Sequence, residues 1–329
     1  MKKLFLLIIF ILQFFAIAFA QEESEAQPEQ ASEQAEQSRR NLFIPTITFK
    51  MLQIDEKDFV LSPAANLQYM RIKGKDSQTK GPDMITAGFS YSQDYFTRGL
   101  GPREVQRIHG CSALLNISAG KNGFMGMVAS NGELPFSSFK TLTGALLYTR
   151  QIIKSDNKSF TAGFGLVAGD FDINFKGIDI YFFALPVFSF NYKNDIFSTS
   201  ISVMGPPAFR LTLFPDAMFR FKGSLGLIGF KSIRDLGFDC ALVCYPFINT
   251  SAENMIYIAA GVMNKSSSFV LKDKSKYSFQ YYSVYGEINA IFASLQCGYI
   301  FDGKRLIEKE IAGDMYKGLF ASLNLMFML

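Results

Sequence analysis

The chain has 329 residues, 49% of them hydrophobic and only 19% charged, against the roughly 25% charged residues of ordinary soluble domains. Phe is abundant (35), Trp is absent, and a single His leaves almost no room for histidine-based metal or acid–base chemistry. The net charge is +4, rising to +6 when Lys2, Lys3, Arg39, Arg40 and the six glutamates of residues 21–40 are set aside, which is too mild to argue for a nucleic-acid partner.

Met1–Ala20 reads as a secretory signal. Lys2 and Lys3 form its basic start, Leu4–Phe14 its apolar core, and Ala18-Phe19-Ala20 a small-x-small cleavage site before Gln21. A retained membrane anchor is the alternative. No Cys follows the site, so it is not a lipoprotein signal. Residues 21–40 are Glu, Gln, Ala and Ser with one Pro and no β-branched or aromatic residue. Such a stretch buries too little apolar surface to repay ordering, so a disordered acidic linker is expected, with a short docked helix as the other reading. The longest later apolar run, Ile180–Phe190, is broken by Pro186 and Ser189 and falls short of the ~20 residues of a spanning helix. An exported chain, rich in apolar surface but lacking a second membrane helix, points to a barrel.

From residue 41 onward short alternating segments recur. Asn41–Val60 holds a first strand (Pro45–Ile54) or a plug. Ile85, Ala87, Phe89 and Tyr91 oppose Thr86, Gly88, Ser90 and Ser92. Cys111, Ala113, Leu115 and Ile117 oppose Ser112, Asn116 and Ser118. Phe160, Ala162, Phe164 and Leu166 oppose Thr161, Gly163 and Gly165. Phe197, Ile201 and Val203 oppose Ser198, Ser200 and Ser202. Phe219, Phe221, Leu225 and Leu227 oppose Arg220, Lys222, Ser224 and Gly226. Ile291, Ala293, Leu295, Cys297, Tyr299 and Phe301 oppose Ser294, Gln296 and Gly298. Period-two alternation with one greasy and one small polar face is what a strand between lipid and lumen needs, at about 9–11 residues per crossing. Asn254–Asn264 and Ile178–Phe190 are apolar on both faces. They suit a lumen filled by apolar side chains, with Pro186 at a bulge.

Tight turns are expected at Asn122-Gly123, Asn194-Asp195 and Pro215-Asp216, and long loops at Gln93–His109, Ser130–Phe139, Ser266–Lys276 and Asp302–Tyr316. Fifteen alternating segments can be counted. Bacterial barrels have even numbers, so 14 strands are expected, with 12 as the alternative. Aromatics near segment ends (Tyr95-Phe96, Tyr181-Phe182-Phe183, Tyr281-Tyr282, Tyr285) suit headgroup-level girdles, or simply the β-propensity of aromatic residues.

The chain closes on Leu319, Ala321, Leu323, Leu325, Phe327 and Leu329, interleaved with Gly318, Phe320, Ser322, Asn324, Met326 and Met328. This stretch resembles the C-terminal strand of bacterial outer-membrane β-barrel proteins, an apolar alternation ending in an aromatic residue. Leu323, Leu325 and Phe327 fit; Leu329 stands where that class usually carries Phe or Trp. The resemblance covers residues 41–329 at the level of the class. It implies an all-β, membrane-spanning, antiparallel up-and-down barrel in a bacterial outer membrane, reached by Sec-type export, with membrane lipid and the barrel-insertion machinery as partners.

Three basic residues, Arg210, Arg220 and Lys222, fall on the polar side of two neighbouring strands. They form either an anion-attracting lumen strip or internal partners for acids such as Asp239 and Glu287. Cys240 and Cys244 share a strand face at ~13 Å, too far apart to bridge. With Cys111 and Cys297 they read as small hydrophobes rather than a disulfide or metal set. His109 precedes Cys111 by two residues on one face, with no visible orienting acid, and reads as a loop-end His. No cofactor is implied and no enzyme activity is expected. The functional expectation is a passive pore for small solutes. Its alternatives are a non-conducting structural or surface-binding barrel, a carrier of hydrophobic substrates resembling the long-chain fatty-acid channels, a lipid-acting enzyme at His109, and a soluble periplasmic β-sandwich.

Overall fold

The computed structural model describes residues 39–73, 82–97, 105–138, 140–175, 178–203, 207–227, 236–247, 255–308, 310–315 and 317–327. The signal, nearly all of the linker and Leu329 lie outside them. The described residues form seventeen strands: β1 Arg39–Gln53, β2 Phe59–Lys73, β3 Met84–Phe96, β4 Arg107–Ala119, β5 Asn122–Gly132, β6 Leu142–Lys154, β7 Lys158–Phe175, β8 Ile178–Lys193, β9 Phe197–Val203, β10 Ala208–Leu213, β11 Phe219–Leu227, β12 Leu236–Cys244, β13 Tyr257–Val270, β14 Lys276–Ala290, β15 Ala293–Ile307, β16 Glu310–Asp314 and β17 Leu319–Met326.

Each strand from β1 to β15 pairs antiparallel with the next, and the ring closes where β17 pairs with both β15 and β1. β16 pairs with the outer end of β15 and β17 with its inner end, so these two pieces share one position. The result is a closed up-and-down barrel of sixteen staves. Closure leaves no open sheet edge, the one arrangement in which strands cross hydrocarbon with every amide paired. The count exceeds the expected 14. Evenness holds, but the odd count of segments concealed a missing stave rather than a surplus one. Asn41–Val60 supplies β1 and no plug.

The alternation expected from sequence holds around the ring. Phe89 (56% exposed), Phe164 (59%), Leu166 (52%), Leu242 (56%), Ile288 (56%) and Leu319 (58%) point outward. Their strand neighbours Thr86, Val167, Val243, Tyr285 and Phe320 are buried inside. Phe43 to Met51 on β1, Tyr282 to Ala290 on β14, Ala293 to Phe301 on β15 and Leu319 to Phe327 on β17 each cover eight residue steps. At ~3.3 Å per step and ~40° of tilt that is about 20 Å, close to the ~25 Å apolar band of membrane barrels. The oily faces therefore do not meet across an interior, which removes the β-sandwich.

Arg39, Phe327 and the tight turns at Gly120-Lys121, Asn194–Ile196 and Phe214–Met218 fall at one end, here called the near end. The first of these lies two residues before the expected Asn122-Gly123, because Asn122 already pairs with Arg150 in β5. The expected long loops all fall at the far end. Two of them are mostly strand: Ser266–Val270 extends β13, and Asp302–Ile307 with Glu310–Asp314 extends β15 and β16. Ser266, Ser268, Lys276 and Lys304 face outward there, beyond the apolar band, so hydropathy alone reads these stretches as loop. Pro186 is not at a bulge. It pairs in register with Phe164, and the irregularity lies between Ala168 and Ile173. The register of β9 along β8 reaches only to Phe188, so Pro186 sits beyond that ladder, where a missing N–H costs least.

Candidate functional site

The lumen is the place to look for function, and its walls are unlike. On the side running from β13 through β17 and β1 to β4, large apolar side chains meet inside. Phe96 of β3 packs against Phe269 of β13 and Phe279 of β14, with ring centroids 5.8 and 6.1 Å apart. Phe269 also stacks on Tyr277 at 5.4 Å. Ile54, Val60, Ile108, Leu271, Ile300, Met315 and Phe320 complete a continuous buried cluster. Phe96 and Ile300 are 0% exposed and Ile108 is 1% exposed. This is a stopper at the far end of the barrel. Beneath it lies a polar layer: Asp94 bonds Ser62 with Lys50 beside it, and Lys265 stands near Lys50, Asp239 and Glu287. Tyr285 Oη donates to Asp239 at 2.7 Å, Tyr257 Oη donates to Glu287 at 2.7 Å, and Lys265 Nζ donates to Gln296 Oε1 at 3.4 Å.

The aromatic positions expected as girdles therefore divide. Phe96, Tyr281 and Tyr285 point inward and are buried. Phe182 is 63% exposed on the outer face, and Tyr282 lies outside against Phe238 and Phe301. The expectation of girdles at Tyr281, Tyr285 and Phe96 is corrected, because in β14 aromatic residues occupy both faces and period two cannot say which face is the lumen.

The other side, β6 to β11, has an inner face of small and hydroxyl residues. Thr149 faces Gly163, Thr161 faces Ser189, Ser202 faces Ala208, Ser200 faces Arg210, and Arg210 faces Ser224. Leu147, Val167 and Val187 are its buried hydrophobics, with Phe183 and Leu185 beside them on β8. No stopper of large rings forms here among the described residues.

The two sides meet along a seam. Gly132, the last residue of β5, pairs in parallel with Val270, the last residue of β13. In a sixteen-stave ring β5 and β13 stand opposite one another, so this pairing crosses the diameter at the far end. Glu133 N–H donates to the Val270 carbonyl at 2.9 Å, and Lys272 N–H to Glu133 Oε2 at 2.9 Å. Asn131 Nδ2 donates to the Ser268 carbonyl at 2.9 Å, and Lys140 Nζ to the Lys274 carbonyl at 3.4 Å. At ~0.5–1.5 kcal/mol net per hydrogen bond these four contribute about 2–6 kcal/mol. A Cβ on Gly132 would lie 2.6 Å from the Val270 oxygen, so only glycine permits the approach.

By register Arg210, Arg220 and Lys222 face the lumen, in unlike surroundings. Arg220 is buried at 6% exposure; its Nε donates to the Ala217 carbonyl at 2.9 Å, and its guanidinium lies 4.1 Å from the Tyr245 ring centroid. Lys222 Nζ is bonded to Tyr245 Oη and lies 5.8 Å from the Tyr257 ring. Arg210 is exposed, opposite Ser200 and Ser224. Tyr245 is the residue that sequence reasoning missed. It sits just past the end of β12, where no alternation marks its direction.

All four cysteines are free, and by register all four lie on the outer face. Tyr91 Oη and His109 Nδ1 are 2.8 Å apart, also on the outer face and away from the lumen. Leu323, Leu325 and Phe327 point outward from β17 as the C-terminal pattern requires. Among the described residues no group of three His, Cys, Asp or Glu stands close enough to hold a metal ion. No protein-family model matches the chain, and no curated protein is significantly similar to it.

Proposed function

We propose that this barrel spans a bacterial outer membrane and serves as a narrow passive pore, its solute path running along the β6–β11 side. The observation that carries the reading is the contrast between that side's Ser, Thr and Gly lining and the aromatic stopper opposite. Small hydroxyl-lined walls pass water and solutes, whereas packed rings exclude them. Arg210, exposed in this path, with Lys222 beside it, gives a mild preference for anions. The chain performs no chemistry in this reading, and its partners are membrane lipid, the insertion machinery and small solutes.

Refolded protein in a planar bilayer tests it. Small, stable conductance steps with reversal potentials favouring anions are expected, and the preference should fall in Arg210→Ala with Lys222→Ala. A correctly folded barrel that carries no current overturns the pore. That outcome favours the second reading, a non-conducting structural barrel, which the stopper and seam support.

A further inference from the structure

The seam has properties that the rest of the barrel lacks. It breaks no ladder when it opens: β5 stays paired to β4 through His109↔Gly132, and β13 to β14 through Val270↔Lys276. Four hydrogen bonds cross it, two of them through the backbone N–H groups of Glu133 and Lys272. Each bank also holds a side-chain-bearing residue in the left-handed region. Phe136 has φ 57° in the β5–β6 loop and Lys274 has φ 67° in the β13–β14 turn. Such a conformation is costly for a bulky residue and persists only while neighbours hold it. The charges are unevenly matched as well. Glu133 takes up the Lys272 N–H, while Lys140 on its own bank sets a positive charge against the Lys274 carbonyl on a turn that carries Lys272 and Lys274.

From these observations we infer that the seam is a releasable latch. Closed, it divides the far end of the lumen; released, it joins the two sides into a wider opening while the sixteen-stave ladder stays intact. The widening rests on the pore reading, whereas the release itself does not. Release parts residues 133–138 from the β13–β14 hairpin while Gly132 keeps its place opposite His109 and Thr141 stays bonded to Asn131. Ser130 Oγ accepts from Phe136 N–H at 2.8 Å and Thr141 Oγ1 donates to the Ser138 carbonyl at 2.9 Å, so the loop keeps its own shape as it moves.

Amide hydrogen exchange on the refolded barrel in detergent tests the release. The Glu133 and Lys272 amides should exchange at least tenfold faster than the ladder amides of Val128 and Val262. Glu133→Ala should speed the Lys272 amide a further tenfold and leave those ladder amides unchanged. Seam amides as slow as the ladder, or indifferent to Glu133→Ala, overturn the latch. Asn131→Cys with Ser268→Cys, in a background with the four native cysteines changed to Ser, is then joined by a short reducible dithiol cross-linker. Single-channel records should lose their larger conductance level when linked and regain it on reduction. Identical records in linked and reduced barrels overturn the latch too. A barrel that never conducts, but whose seam amides still exchange fast, removes the pore and leaves the latch.

Discussion

The two halves of the lumen are built from the same kind of strand yet end in opposite states. Between β13 and β4 the inward positions carry Phe96, Phe269, Tyr277, Phe279 and Phe320, which meet and expel water. Between β6 and β11 they carry Gly163, Gly165, Ser198, Ser200, Ser202, Thr212 and Ser224, which cannot reach one another across the barrel. Backbone geometry is shared; side-chain volume decides which half is filled and which is left lined by small residues. On the filled side β13, β14 and β15 run on past the apolar band at the far end, as β7 and β8 do on the other side. β14 and β15 have fifteen residues each against six and seven in β10 and β9. The stopper sits partly in these extensions, where Ser268, Lys276, Ser278 and Lys304 face outward.

The contrast can be broken most strongly at the stopper. Phe96→Ala and Phe279→Ala should each cost roughly 3–5 kcal/mol of unfolding stability, the range for burying and then deleting a large ring. Urea titration of the barrel in lipid measures this, and the double variant should also raise conductance several-fold. The same substitution on the outer belt, Phe164→Ala, should leave conductance unchanged. A charge placed there acts differently: Phe164→Lys sets an ammonium against hydrocarbon and should cost about 2–4 kcal/mol in lipid, a penalty that disappears if the face is wet.

Two arginines on adjacent staves sharpen the comparison further. Arg220→Ala removes a charged hydrogen bond and a ring contact, so about 2 kcal/mol of stability should go with little effect on ion preference. Arg210→Ala should change stability by no more than ~0.5 kcal/mol yet lower the anion preference read from the reversal potential. Equal effects of the two on stability would mean that Arg210 is also packed.

Much of this was legible in the sequence. Alternation placed Phe89, Phe164 and Leu323 outside and Thr86, Ser200 and Arg220 inside, because side-chain period is a local property of any strand. The closing strand followed from the same pattern, the tight turns from their Asn, Asp, Gly and Pro residues, and the even count from the barrel class rather than from the fifteen segments counted. What escaped were relations between distant staves. Ser130–Phe139 reads as a polar loop, and nothing local shows that Gly132 reaches Val270 across the diameter. Tyr281 and Tyr282 look alike in the sequence, yet one fills the lumen and the other meets Phe238 outside. Nor does anything local to Arg220 and Lys222 show that Tyr245, a residue past a strand end, lies against both.

The division of the lumen is the central claim, and one measurement reaches it directly. Single cysteines at Ser200, on the open side, and at Ser112, on the inner face of β4 below the stopper, are modified with a bulky thiol reagent during single-channel recording in a background without native cysteines. An adduct at Ser200 should block most of the current, and one at Ser112 should leave it nearly unchanged. Equal block at both positions, or block at Ser112 alone, would contradict a path confined to one side.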